Sequence, residues 1–240
     1  MDEHLFALAD RREVAEGTMS FRFDTSGSGF SFEAGQNADF TLIDPPKTDA
    51  EGNTRTFSFA SSPHHRDSFM VATRMRPSAF KESLRALPLG TEVEVEGPIG
   101  NMVLHEDPSR PAVLLAAGIG ITPFRSMLEW ATEKKLAHRF ILFYSNRTRA
   151  LTAFLDDLEA WRKRNPNIQL VPTLTDSKES SWPYETGRVD EAMLARHVSD
   201  LEKPIYYLAG PPGMVEALKT LILKRGVSRD NVRFETFSGY

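Results

Sequence analysis

The strongest constraint on this chain is the run Val113-Leu114-Leu115-Ala116-Ala117-Gly118-Ile119-Gly120-Ile121-Thr122-Pro123. An apolar stretch stops at two glycines, and Thr-Pro then opens an amphipathic segment from Phe124 to Lys135. The pattern predicts a buried strand, a tight turn without side chains, and a helix that Thr122 caps and whose first turn holds Pro123. Such a helix start presents unpaired backbone N–H groups and a positive dipole end, which suits a pyrophosphate. Short glycine motifs recur by chance. The loop gains weight from two companions, Arg55-Thr56-Phe57-Ser58 upstream and Ala209-Gly210-Pro211-Pro212-Gly213-Met214 downstream.

The chain has two halves with different patterning. Up to Glu106, short β-rich or alternating segments are separated by turns: Thr18 to Phe23, Asn37 to Ile43, Thr56 to Ala60, Ser68 to Met75 and Glu92 to Glu96. One short helical segment, Ser78 to Leu87, interrupts them. This pattern predicts a small antiparallel barrel. After it, apolar strands at Ala112 to Ala116, Phe140 to Tyr144, Ile168 to Thr173, Ile205 to Ala209 and Val232 to Glu235 alternate with helical patterns. Leu151, Phe154, Leu155, Leu158 and Trp161 form one apolar helix face, and Met214, Leu218, Leu221 and Ile222 another. Alternation of this kind predicts an α/β doubly wound parallel sheet, whose ligands bind at the carboxyl ends of the strands. The proline-flanked linker Asp107-Pro108-Ser109-Arg110-Pro111 divides the chain into residues 1–106 and 107–240.

Composition narrows the chemistry. Of 240 residues, 40% are hydrophobic and 26% charged, enough for a substantial core. A net charge of −4 gives no reason to expect nucleic acid or a membrane as partner. The chain has no cysteine, which excludes disulfides, thiolate catalysis and cysteine-ligated clusters within it. An acidic N-terminus without a basic-then-apolar order, and no apolar run of bilayer-spanning length, lead to a cytoplasmic expectation. His64-His65 follow Pro63 on a loop. Adjacent side chains there are expected to point apart, no ligand spacing follows, and no metal site is expected. Asp156, Asp157 and Glu159 read as the wet side of a helix, and Trp130 and Trp161 as packing residues.

In Arg55-Thr56-Phe57-Ser58 a planar permanent cation suits phosphate, an aromatic two residues on can stack on a flat ring, and a hydroxyl can reach a ring nitrogen. Arg-x-(Tyr/Phe)-Ser, then Gly-x-Gly-x-Thr-Pro, then Gly-Pro-Pro-x-Met, in that order, resembles the ferredoxin–NADP⁺ reductase family. The likeness covers nearly the whole chain and includes Ala34-Gly35-Gln36 and Gly97-Pro98-Ile99-Gly100. It implies a FAD-binding barrel over residues 1–106 and an NAD(P)-binding domain over residues 107–240. Activity is then that of a flavin-dependent oxidoreductase, passing hydride from NAD(P)H to FAD and electrons onward.

The resemblance also assigns roles. Arg55 would bind a flavin phosphate, Phe57 stack on the isoalloxazine, Ser58 approach its reactive nitrogen, and Thr56 lie between them. Thr73, Arg74 and Met75 match the strand against the ribityl chain and diphosphate. Where the family has a Gly-x-x-Ser-like helix start, this chain has Pro77-Ser78-Ala79-Phe80-Lys81, with Ser78 as cap and Lys81 as added charge. That departure leaves FMN open beside FAD. Gly118, Gly120, Thr122 and Pro123 would receive the nicotinamide dinucleotide. No acid follows the next strand, so Ser145 and Arg147 favour the 2′-phosphate of NADP(H) over NAD(H). Gly210, Pro211 and Met214 form the nicotinamide turn, with Ala209 where the family often has cysteine. Phe237 is preferred over Tyr240 as the ring stacking on the flavin, and Glu235 as its polar neighbour. Ser58 and Glu235 are the candidate catalytic groups. The expected partner is a separate acceptor such as ferredoxin or flavodoxin, docking near Arg55, Arg74, Arg76, Lys81 and Arg85. Alternatives are the electron-input component of an oxygenase, a flavin or ferric reductase, or a flavin-binding redox sensor.

Overall fold

Alternation along the early strands decides which side chains meet. In a computed structural model, which describes residues 3–176 and 181–237, β3 (Asn37–Leu42) buries Ala38, Phe40 and Leu42 and turns the residues between them outward. It belongs to a sheet with β1 (Glu3–Ala15), β2 (Thr18–Asp24), β4 (Thr54–Ser58), β5 (Ser68–Arg74) and β6 (Glu92–Ile99). The order is β4-β3-β6-β1-β2-β5, antiparallel throughout. An antiparallel bridge between Phe59 and Val71 joins the two edge strands, so no long edge is left open for aggregation. Inside lie Phe6, Phe21, Phe23, Phe40, Phe59 and Phe69. Helix α1 (Ala79–Ala86) covers one end, burying Phe80 and Leu84.

Strand β1 was not apparent in the sequence. Its residues are mostly helix formers, and only Phe6 and Leu8 mark the alternation. Pairing on both sides, with β2 and with β6, overrides that preference.

The second half is a parallel sheet of order β10-β9-β8-β7-β11-β12. Its strands are β7 (Ala112–Ala117), β8 (Phe140–Asn146), β9 (Ile168–Leu174), β10 (Glu185–Thr186), β11 (Ile205–Gly210) and β12 (Val232–Thr236). Its helices are α2 (Ile121–Glu133), α3 (Leu155–Arg164), α4 (Glu191–His197) and α5 (Pro212–Lys224). The chain runs outward from β7 through β8 and β9, then returns to place β11 on β7's other side. The switch point therefore lies between β7 and β11, where such folds bind ligands. Residues 100–111, which join the sheets, are irregular. No helix among the described residues is long and apolar enough to cross a membrane.

One core crosses the seam. Ala34, Ala60, Met70, Ala72 and Met102 of the first half pack with Leu114, Phe124 and Met127 of the second. Polar contacts follow the same line on α2: Ser126 Oγ donates to Ser61 O at 2.7 Å, Arg125 to Ala60 O at 2.7 Å, and Glu129 Oε2 accepts from Ser62 N at 2.8 Å. Arg125 is buried, with its guanidinium over Phe154 and Trp161 and 2.7 Å from Asp157. Asp157 is thus the partner of a buried cation and not simply a solvated acid. Trp161 packs in the core as expected.

Candidate functional site

Two openings meet at the seam. The first, about 850 Å³, is lined by Arg55, Thr56, Phe57 and Ser58 from β4 and by Thr73 and Arg74 from β5. Ser78 and Lys81 at the start of α1, Ile119 and Thr122 at the start of α2, and Glu235 to Phe237 complete it. The second, about 530 Å³, lies at the carboxyl ends of β7 and β8 and is lined by Gly118, Ser145, Arg147, Pro211 and Met214. Arg74 and Arg76 line both openings, so the two are contiguous. A separate cavity of about 770 Å³, bordered by Arg12, Arg22 and Arg149, has none of the motif residues in its wall.

The glycine turn differs from expectation in one detail. A single 3₁₀ turn spans Gly118–Gly120 and α2 begins at Ile121, so the N-cap is Gly120. Thr122 is already helical, and its hydroxyl donates back to Ile119 O at 3.0 Å instead of capping. Pro123 stays within the first turn, buried and away from the cleft wall. Gly120 is also set back from the openings. A Cβ there would stand 2.1 Å from Ala209 O, so only glycine lets the turn lie against the end of β11. Gly210, at φ +152°, is buried behind Pro211 and Met214.

Other residues take up different places. Phe80 is core, 5.8 Å from the Phe57 ring and beneath the Arg55 guanidinium. Met75 packs against the barrel core, and the Ala79 N–H is held by Asp49 at 2.9 Å. None of these three lines the cleft. Phe57 does, but it is only 9% exposed. Arg55 faces the cleft with its guanidinium tied to its own loop, to Glu51 O and Thr54 O at 2.9 and 2.7 Å and to the Glu51 carboxylate at 2.9 Å. Phe237 lines the cleft, its N–H bonded to Gly210 O. Tyr240 lies outside the described residues.

Glu235 is carried across the seam by β12. Its Oε1 accepts from Asn37 Nδ2 at 3.1 Å. Burial pushes its carboxyl above the usual range, and hydrogen bonds from Asn37 and Ser58 oppose that rise. Lys81 is held below its usual value, first by burial and then by the nearby Arg55 and Arg76 cations. Its Nζ donates to Arg74 O at 3.0 Å. A crowded set of cations in a cleft is suited to an anion.

The walls also carry unmet hydrogen-bonding capacity. Arg74 Nε, Ser78 Oγ and both side-chain atoms of Asn146 are buried without a partner among the described residues. Such atoms in the wall of an opening fit a ligand with many acceptors and donors, as a dinucleotide has. Wall residues that sequence reasoning missed include Asn37, Asn146, Thr175 and Arg188. Asn37 follows the noted Ala34-Gly35-Gln36 directly, and that was the available signal. Arg188 joins Arg147 only through the return of the chain at β10, which no local pattern records.

An antiparallel barrel is joined to a doubly wound sheet, with a continuous cleft at the seam. The oxidoreductase NAD-binding domain family matches residues 114–220. The reductase component 1 of terephthalate 1,2-dioxygenase from Comamonas is 27% identical over 213 residues, covering 88% of this chain and 61% of that protein. The FAD/NAD-binding domain of a nitric oxide dioxygenase from Vibrio cholerae superposes with a TM-score of 0.84 at 18% identity, over 97% of this chain and 98% of that one. A ferredoxin–NADP⁺ reductase from Neisseria gonorrhoeae, solved with FAD and NADP, gives 0.78 at 18% identity over 98% of each chain. The chain thus matches the oxidoreductase NAD-binding domain family over residues 114–220, and its whole fold is similar to that of ferredoxin–NADP⁺ reductase-like structures. It spans about three-fifths of the length of the curated relative it matches.

Proposed function

We propose that this chain is a FAD-dependent NAD(P)H oxidoreductase that delivers electrons to a separate acceptor protein. The observation that carries the reading is the junction at Arg74 and Arg76, where a barrel-side cleft opens into a nucleotide-side cleft. Bound there, the two cofactors supply the hydride and electron chemistry themselves. The chain's work is to bind, orient and exclude water.

Arg74, Ser78 and Lys81 hold the flavin diphosphate, with Arg55 contributing if its loop releases the guanidinium. Phe57 and Phe237 bound the ring site, and Ser58, Asn37 and Glu235 form its polar edge. Glu235, raised by burial, keeps its proton to a higher pH than an exposed carboxyl does. The Gly118 turn and the start of α2 receive the pyrophosphate of the nicotinamide nucleotide, and Pro211 and Met214 border its nicotinamide end.

We favour NADPH as donor. Ser145, Arg147 and Arg188 line the second opening, and among the described residues neither arginine makes a side-chain hydrogen bond or ion pair. For the acceptor, relatives named as reductase or electron-transfer components of oxygenases, including that of toluate 1,2-dioxygenase from Pseudomonas putida at 29% identity, favour an iron–sulfur protein serving an oxygenase. These 240 residues hold no cysteine, so no cysteine-ligated centre lies within them.

The test is the absorbance spectrum of the purified protein, followed by anaerobic titration with NADPH and then NADH. Flavin bands bleached faster by NADPH are expected. Faster bleaching by NADH would keep the enzyme and overturn the donor assignment. A colourless protein that does not take up added FAD would overturn the reading.

A further inference from the structure

Away from the cleft, the loop between β4 and β5 brings three ligand-type side chains together. His65 N bonds to Ser62 O at 3.2 Å and His64 N to Ser62 Oγ at 3.4 Å, which curls the chain after Pro63. The two imidazoles do not diverge: their centroids are 3.9 Å apart. The loop was expected to point them apart, and its curl around Ser62 reverses that expectation. Glu129 on α2 closes the group, with Oε1 2.9 Å from His65 Nε2. One ring nitrogen from each histidine and a Glu129 oxygen lie within 4.8 Å of one another.

We propose that His64, His65 and Glu129 form a site for a divalent transition-metal cation of the zinc class, bridging the barrel to helix α2. Two ligand atoms about 2.1 Å from a tetrahedral zinc stand about 3.4 Å apart, so atoms now within 4.8 Å of one another have to draw together by at most about 1.4 Å. The second shell is in place. Glu129 Oε2 is fixed by Ser62 N at 2.8 Å and Arg125 at 3.3 Å, which leaves Oε1 to coordinate. Arg125 is itself paired with Asp157, which limits its repulsion of an incoming cation. His64 Nδ1 is buried with no hydrogen-bond partner among the described residues, a deficit that a metal or its bound water would meet. His65 keeps 37% of its side chain exposed, giving an entry path and room for water as fourth ligand. Neutral imidazole is the ligand form.

The test uses EDTA-treated full chain titrated with Zn²⁺ by calorimetry and with Co²⁺ by visible absorption. One equivalent should bind, with tetrahedral-type cobalt bands that zinc abolishes, and Zn²⁺ should raise Tm. Affinity should fall about tenfold or more in His64→Ala and in Glu129→Gln, and stay unchanged in the distant His4→Gln. Absence of stoichiometric binding by the wild-type chain would overturn the proposal. So would binding that survives His64→Ala, or that is lost in His4→Gln.

Discussion

Substituting Gly120 by alanine sets two effects of opposite sign against each other. The backbone there is ordinary right-handed helix, φ −58° and ψ −3°, so alanine meets no conformational strain. On propensity alone the variant should gain about 1 kcal/mol. Against this, the new Cβ would lie 2.1 Å from Ala209 O, 2.5 Å from Ala209 C and 2.8 Å from Gly210 N. All three are backbone atoms of a paired central strand and cannot turn aside. Ordinary contact requires more than about 1 Å of separation between the glycine turn and the end of β11. Overpacking of that kind costs about 1–3 kcal/mol or more, which outweighs the propensity gain. At about 2–4 °C per kcal/mol for a chain this size, Tm should fall by about 5 °C. Because the moved segments flank the second opening, affinity for the nicotinamide nucleotide should fall as well, by about tenfold. Thermal melts by circular dichroism and nucleotide titration measure both effects. Gly213→Ala is the control for stability, since nothing lies within 4 Å of its added Cβ. A Gly120→Ala melt equal to or above that of the wild type would refute the close apposition of turn and strand.

Three further outcomes are expected. Glu235→Gln should raise Tm at pH ~8 but not at pH ~4: the native carboxyl titrates above its unfolded value, so its burial opposes folding only once the unfolded state ionises, and a gain equal at both pH values would contradict that. Arg125→Met leaves Glu129 and Ala60 O short of a donor; the loss should be about 3 kcal/mol, the lower end for a buried pair because Asp157 is half exposed, and a change below about 1 kcal/mol in urea unfolding would show that the pair is dispensable. In the Arg147→Ala, Arg188→Ala double variant, affinity for NADPH should drop about tenfold or more while that for NADH changes little, and equal losses for both would remove the 2′-phosphate assignment.

The strand–turn–helix at Val113–Pro123 was legible because each of its steps is local: an apolar run, a glycine turn, a proline in a first turn. Arg55 to Ser58 and the Ser145–Arg147 strand end were legible for the same reason. What escaped was set by pairing at a distance. Strand β1 carries helix-forming residues and becomes a strand through neighbours on both sides. Phe80 and Met75 sit next to cleft residues in sequence, yet face the barrel core because the helix and strand periods turn them inward. Arg188 reaches Arg147 only after the chain has passed through β9, α3 and β10. The histidine pair was expected to point apart on its loop, but His64 N and His65 N both bond to Ser62, which brings the rings together.

Helix α2 ties these observations together. Ile119 in the turn before it and Thr122 in its first turn border the barrel-side cleft, and Gly118 borders the second opening. One turn further on, Arg125, Ser126 and Glu129 hold the barrel's 60–62 segment through buried polar contacts. The element that presents the nucleotide turn is therefore the one that fixes the barrel beside it. Ring-to-ring geometry demands sub-ångström placement, and a helix held at both places supplies it better than a flexible linker would. The same arrangement explains why the connecting segment 100–111 can be irregular without loosening the site. Orientation is set by α2 against the barrel, and the irregular segment adds its own anchors, Met102 in the shared core and His105 N donating to Tyr207 OH at 2.8 Å.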